Sequence, residues 1–548
     1  VGMIFDIREQ GNVYKSLEHS EPQNRVEYYN GAIASFIKCK NDFKPEFDLY
    51  HTHGWQTGLS QSLIKEFEFV RTRLDTKEVN KTPTINHTIH MLMAGDVGRM
   101  DTDETFKSVG LDRGGSAVEQ QKETLLSADT VNLVAKGMKT WVLRGEPYSC
   151  GYAEMFAHLN KENRLQGITN GIEHGVFYSG NERNLDGAKM EVTFDEDDDV
   201  IAKKRLCKQY LNAHMTKYLS PEQIYPIDLD KPMLLYVGRY SDEKGIDMLK
   251  AAAIEAQSQG MQMVIMGIYS TEEAKPIIQE LKEMEGVIVL DKWQEEQRPL
   301  GRYFREAADF TIVPSHAEAC GLVPMEAMSS GSIPITSNVQ GLPDVMREIS
   351  ELGDSNPGTG FIYNEESSLS DTVYNMEQAI KRARSVYDKY KNNEVWGGYL
   401  KKIIGDSKNF SWSHNAANEY SSWYQNGLEL SACKLLEGTP DLLVDDVLSR
   451  KSSGLNVSLS ADSTSLMKGD RVGLQAAENI KKQTLHVSLE YGVATLGGLG
   501  TVVTQLVDAQ NRKFSEVMNY NVMTPLYSKV NMERDIKEHC IVKHMFNG

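Results

Sequence analysis

Arg239 and Lys244 stand just past an apolar run ending in Val237-Gly238, and Glu318 and Glu326 flank the turn Cys320-Gly321-Leu322. Fixed cations beyond the carboxyl end of a parallel strand neutralise a diphosphate. A carboxylate on each side of a glycine turn can hold sugar and ribose hydroxyls. The set reads as a sugar-nucleotide site. Each member also has an ordinary reading, since Lys and Arg are usually solvated charges and two Glu residues near one helix need not share a face. Their common placement beside strand ends favours the functional one. A second candidate is Gly497-Gly498-Leu499-Gly500, which follows the strand-like LHVSL and opens a helix. Such a turn lets a phosphate approach the unpaired N–H groups of a helix start, and it is equally a tight turn with no ligand.

These residues need elements to position them. From Pro232 onward, MLLYVG, MQMVIMG, VIVL, DFTIVPS and IPITS are short buried strands, separated by amphipathic stretches such as DMLKAAAIEAQSQG, EEAKPIIQELKEMEG, RYFREAA and CGLVPMEAMSSG. That alternation predicts a Rossmann-like, doubly wound domain with ligands beyond the carboxyl ends of its strands. The first 220 or so residues repeat the style less regularly, with FDLYHTHGW, TPTINHTIH and ADTVNLVA as strands and GITNGI as the last strand and turn before a helix over about 202–219. Residues 431–483, rich in Ser, Asp and Gly, read as a linker or excursion. A strand, glycine turn and helix then follow, the usual opening of a nucleotide-binding domain, here only 65 residues from the end.

Composition narrows the function classes. The 548 residues give room for two large α/β domains. With 59 Lys+Arg against 77 Asp+Glu, 59 − 77 = −18, a balance opposed to the broad basic surface of direct nucleic-acid binding. A run of 18 apolar residues is absent, as is a basic-then-apolar start, so neither a membrane span nor a secretion signal is expected and a cytoplasmic location follows. The six cysteines are scattered without a C-x-x-C pair. His51 and His53 in HTHGW suggest a metal but lack a third ligand at convincing spacing, and His90 in TINHTIH is an isolated histidine. The acidic run Asp195–Asp199 precedes a helix, where carboxylates favour the dipole. The expectation is therefore no metal and no cofactor.

Together these segments resemble bacterial glycogen and starch synthases and the wider retaining glycosyltransferases of GT-B fold. LLYVGRYSDEKGIDML resembles the family's Arg/Lys segment, ADFTIVPSHAEACGLVPMEAMSSGSIPITSNVQGLPD its paired-Glu segment, and TGFIY and FSWSHNAANEYSSWY its closing turn and helix. YHTHGWQTGL, TIHM, GITNGI and LHVSLEYGVATLGGLGTVV resemble signatures of the other domain. The last of these belongs at the start of the family's chain, which implies that 484–548 joins 1–222 in one domain, either because the chain is circularly permuted or because its numbering does not follow the original gene order. The remaining expected divisions are a sugar-nucleotide domain at 226–410 and a closing helix at 411–430. Three residues depart from the family pattern: Thr495 and Thr501 replace a Lys and an Asp around the paired glycines, and Gly54 replaces an Asp before Trp55.

The resemblance implies a retaining, metal-independent transfer of a hexose from a sugar nucleotide, in a cleft between two Rossmann-like domains. Arg239, Lys244, Glu318 and His90 would be catalytic. Gly497, Gly498, Cys320, Gly321, Leu322 and Glu326 would bind the donor, with Glu318 on the sugar hydroxyls, Glu326 on the ribose and His90 near the sugar. The acceptor would be a glycan or a protein. The three lost charges leave open a bacterial effector that modifies a host protein, for instance from GDP-mannose, and an inactive binding module is the third reading.

Overall fold

The computed structural model describes residues 2–6, 33, 47–58, 60–62, 64–65, 84–92, 99–101, 117–146, 148–173, 178–438, 482–488, 498–516, 518–526 and 539–542. Its strands in chain order are β1 (Gly2–Asp6), β2 (Leu49–His53), β3 (Thr84–Ile89), β4 (Arg99–Asp101), β5 (Ala117–Glu119), β6 (Thr130–Leu133), β7 (Leu165–Gly167), β8 (Met233–Tyr240), β9 (Gln262–Tyr269), β10 (Val287–Leu290), β11 (Phe310–Val313), β12 (Ile333–Ser337), β13 (Phe361–Tyr363), β14 (Lys482–Val487), β15 (Met518–Leu526) and β16 (His539–Val542). The chain forms two compact units, 169–415 and 1–168 with 416–548.

Residues 169–415 hold a six-stranded sheet in the order β10-β9-β8-β11-β12-β13, parallel throughout. Leu234, Leu235, Tyr236, Val264, Ile265 and Ile288 are buried along its strands, the continuous apolar pattern of a sheet covered on both faces. From β8 the chain runs outward through β9 and β10, and from β11 it runs the other way through β12 and β13. The order thus reverses between β8 and β11, which is where open α/β sheets leave a crevice for ligand.

The second unit holds an eight-stranded parallel sheet, β16-β1-β15-β14-β2-β3-β6-β7, with β4 and β5 as a separate antiparallel ribbon. Thr484–Val487 of β14 pairs with Leu49–Thr52 of β2 on one side, and β14 pairs with β15 on the other. Residues from the end of the chain thus occupy the middle of a sheet begun at its start, and the order reverses between β14 and β2.

Several expected boundaries differ from those observed. The expected division near 222 lies in fact at 168/169, because the helix Val200–His214 buries Cys207 and Leu211 in the same apolar core as Leu234 and Phe304. GITNGI is not a strand beyond Gly167; only Ile172 makes an isolated bridge, to Ser411. The expected closing helix at 411–430 is a π turn, Trp412–Ala416, followed by a helix from Ala417 to Gly438. That helix takes in the first residues assigned to the linker; 439–481 fall outside the described residues, as do Val1 and Gly548. Among the described residues, no helix is long and apolar enough to cross a membrane.

Candidate active site

Both strands at the reversal in unit 169–415 lead into segments that carry charge. After β8, Ser241 leads into a single 3-10 turn, Asp242–Lys244, closed by Gly245 at φ +69°. A Cβ on Gly245 would lie 1.8 Å from the Pro314 carbonyl oxygen, so only glycine lets this turn pack on the segment leaving β11. That approach brings Lys244 Nζ to 2.8 Å from Glu318 Oε2, with the two side chains 20% and 16% exposed. The backbone N–H groups of His316 and Ala317 donate to the Glu243 carbonyl and fasten the two segments together.

The other expected residues lie on the same scaffold with different partners. Arg239, exposed at the end of β8, pairs with Glu243, while Tyr236 donates its hydroxyl to the Arg239 carbonyl at 2.9 Å. Glu326, in the helix Leu322–Ser329, is held by Arg305 at 2.9 Å. Gly321 begins that helix at φ +94°, Leu322 is half-buried beside it, and Cys320 is buried with its thiol pushed far above the usual range by desolvation. The structure therefore brings Lys244 and Glu318 together and leaves Arg239 with Glu243 and Glu326 with Arg305.

His316 is a residue that sequence reasoning missed. Its Nε2 faces Asp247 at 3.0 Å and its Nδ1 faces Glu365. The hydrogen bond to Asp247, followed by that to Glu365, raises its pKa to about 10. This ion cluster ties the β11 loop to the segments after β8 and β13. The available signal was a histidine two residues before Glu318, whose two carboxylate partners are far away in sequence.

The acidic run has structural partners: Asp199 caps the helix Val200–His214 by accepting from Ala202 N at 3.1 Å, and Glu196 pairs with Lys408 and Tyr178.

In the unit containing β14 and β2, Gly498 begins the helix Gly498–Phe514, whereas Gly497 and Thr495 fall outside the described residues. His90 follows β3, half-buried, its Nε2 3.1 Å from His53 Nδ1, and burial lowers its pKa to about 3. His53 Nε2 in turn lies 3.1 Å from His486 Nδ1. The expectation that His51 and His53 lack a third ligand is corrected here. His486 on β14 sits in register with His51 on β2, and the three rings present ligand atoms within 4.8 Å of one another. Spacing along the chain concealed this because β14 and β2 come from opposite ends of it.

Gly54, where the family carries Asp, has φ +75° and ψ 159°. That region is essentially restricted to glycine, so the local backbone is built for the residue present.

The comparisons with known proteins agree with this architecture. The model of "Glycosyl transferases group 1" matches residues 221–394, and that of "Starch synthase catalytic domain" matches residues 3–158. A glycogen synthase of Anoxybacillus flavithermus is 27% identical over 408 residues, covering 73% of this chain and 75% of the relative. A glycogen synthase of Bacillus licheniformis is 25% identical over 75% of this chain and 78% of its own length. The catalytic domain of starch synthase IV from Arabidopsis thaliana, solved bound to ADP and acarbose, superposes with a TM-score of 0.56 at 21% identity over 75% of this chain and 78% of that one. Two parallel-sheet α/β units with such a neighbour define a GT-B fold. The protein is a glycogen/starch synthase-like glycosyltransferase.

Proposed function

We propose that the protein transfers glucose from a sugar nucleotide to a glucan, with retention at the anomeric carbon and without a cofactor or a metal on the diphosphate. The observation that carries this reading is the Lys244–Glu318 pair at the β8/β11 reversal, within the segment similar to group 1 glycosyl transferases. An arriving diphosphate competes with Glu318 for Lys244, and the freed carboxylate accepts from the sugar hydroxyls. As the glycosidic bond breaks, negative charge grows on the leaving diphosphate. Lys244, Arg239 and the N–H groups at the start of the helix Leu322–Ser329 stabilise that charge more than they stabilise bound donor. Glu326 is assigned to the ribose and His90 to the sugar. The backbone at Gly497 and Gly498 is assigned to the phosphates on the family resemblance alone. Glucose and glucan are suggested by the names of the glycogen synthase relatives.

The test is a thermal-shift panel of ADP-, UDP- and GDP-sugars followed by turnover on glycogen. The true donor at 100 times its Kd stabilises by about 2.7 kcal/mol. Its turnover releases nucleoside diphosphate and is unchanged by added Mg²⁺ or Mn²⁺. A panel in which only GDP-mannose binds, with no elongation of glycogen, would replace this reading with the protein-modifying one. Binding without turnover would indicate an inactive module.

A further inference from the structure

The other reversal, between β14 and β2, is lined by imidazoles. His51 and His53 are two residues apart on β2 and so project to the same face. His486 on β14 is directly opposite His51 in a parallel register, which places it on that face too. All three are fully buried beneath the helix Ala417–Gly438, whose Tyr420, Trp423 and Tyr424 rings lie 5.7, 5.2 and 5.5 Å from the His51 ring. We propose that His51, His53 and His486 form a binding site for one zinc-class transition-metal dication, with the fourth coordination position left for water or an anionic ligand.

Geometry carries the proposal. The nitrogens of all three rings converge within 4.8 Å, and His53 Nε2 and His486 Nδ1 lie 3.1 Å apart. Two ligands on a tetrahedral zinc with bonds of 2.0–2.1 Å are separated by about 3.3 Å, so this pair needs almost no movement to share an ion. Imidazole nitrogens suit Zn²⁺, Co²⁺, Ni²⁺ or Cu²⁺ and are poor ligands for Mg²⁺ or Ca²⁺. Burial and mutual repulsion keep the rings neutral, the form that binds metal.

The surroundings match what metal-bound histidines require. Such rings are oriented by a hydrogen bond at the nitrogen that is not ligated. His51 is hydrogen-bonded at both nitrogens, to the Tyr424 hydroxyl 2.7 Å from Nδ1 and the Thr88 hydroxyl 2.8 Å from Nε2, so coordination costs it one of these bonds while the other orients the ring; Gln510 donates to Tyr424 at 3.0 Å. His53 has His90 at its Nδ1. Burial lowers the His486 pKa while the Gln510 side chain beside the ring raises it, so the Oε1 of Gln510, which has no other hydrogen-bond partner among the described residues, stands as the acceptor for a proton on Nε2. Coordination through His486 Nδ1 places a proton on Nε2, facing that acceptor. Coordination through His53 Nε2 places its proton on Nδ1, so that His53 donates to His90 and His90 Nε2 accepts. The alternative is a metal-free core, in which a chain of hydrogen bonds runs through His90, His53 and His486.

The two are separated by metal uptake, read without any sugar nucleotide and so independent of the proposed transfer reaction. The full-length protein, free of any polyhistidine tag, is stripped with dipicolinate, dialysed and titrated with Co²⁺ and then Zn²⁺. The expected result is about one equivalent per chain, with the visible absorption of four-coordinate Co²⁺ displaced by Zn²⁺. His486→Asn weakens binding at least tenfold, while substitution of the exposed His158 leaves it unchanged. Uptake by wild-type protein of less than about a tenth of an equivalent overturns the proposal, whether or not the variant folds. A folded His486→Asn that binds Co²⁺ as tightly as wild type overturns it equally.

Discussion

The two sheets solve the same problem in opposite ways. In unit 169–415 the central strands are apolar, with Met233, Leu234, Leu235 and Tyr236 of β8 all buried, and charge begins only where β8 and β11 end. In the other unit polar groups lie inside the sheet. His51, Thr52 and His53 of β2, Asn86, His87 and Thr88 of β3, and Thr484 and His486 of β14 are buried, several of them hydrogen-bonded to one another. Charge at a strand end remains within reach of water and ligand. The buried neutral groups hydrogen-bond largely to one another, although Asn86 Oδ1 and His87 Nε2 find no partner among the described residues, and such a network stiffens the sheet. The first arrangement suits a site that meets an anion, and the second suits a site whose geometry must be fixed before anything binds.

Removing charge from the first site is therefore the largest effect expected. Lys244→Ala lowers kcat by on the order of 10² to 10³, the usual loss for one preorganised contact to a developing anion. It also leaves Glu318, only 16% exposed, without its cation. Arg239→Ala costs less, about tenfold, because its side chain is 47% exposed and already paired with Glu243. Steady-state kinetics with the donor found by thermal shift rank the two. Equal losses would mean that Arg239 leaves Glu243 and closes on the ligand as fully as Lys244, and wild-type turnover in Lys244→Ala would remove the site from the β8/β11 reversal.

That contrast also explains what was legible in the sequence. The strands of unit 169–415 are short apolar runs bounded by polar residues, and the expected VIVL and IPITS match β10 and β12. Lys244 and Glu318 could be picked out because each closely follows its strand. Their pairing with each other could not, since it depends on Gly245 packing against Pro314. In the other unit, β2, β3 and β14 look polar for buried strands, and the partners His53 and His486 are separated by 433 positions. No spacing rule reaches that far. The unit boundary was misplaced for a related reason, because the packing partner of the helix Val200–His214 decides its unit and its own pattern does not.

A smaller effect is expected where backbone rather than charge sets the second site. Gly54 follows His53 directly, and its N–H donates to the Thr88 carbonyl at 3.0 Å. At φ +75° and ψ 159° any side chain is strained, so Gly54→Asp, although it restores the family's residue, destabilises by about 1–3 kcal/mol. Chemical denaturation measures this. A Gly54→Asp protein as stable as wild type would show that the turn relaxes and that the two sites differ less in rigidity than their burial suggests.

The smallest effect concerns the rim of the charged site and is read by pH. His316 lies between Asp247 and Glu365, and its pKa rises from the ordinary histidine value to about 10. A histidine whose folded-state pKa is raised adds stability that is complete below its unfolded value, near 6.5, and is lost as pH climbs through the folded one. The window is therefore about pH 6.5 to 10. The three side chains are 26%, 35% and 24% exposed, so solvent screening reduces the contribution to about 1 kcal/mol. His316→Gln should be less stable than wild type by that amount at pH 6, and the gap should narrow steadily toward pH 10. A gap independent of pH would mean that His316 serves the loop by packing, and the ion cluster would then have no part in holding Glu318 beside Lys244.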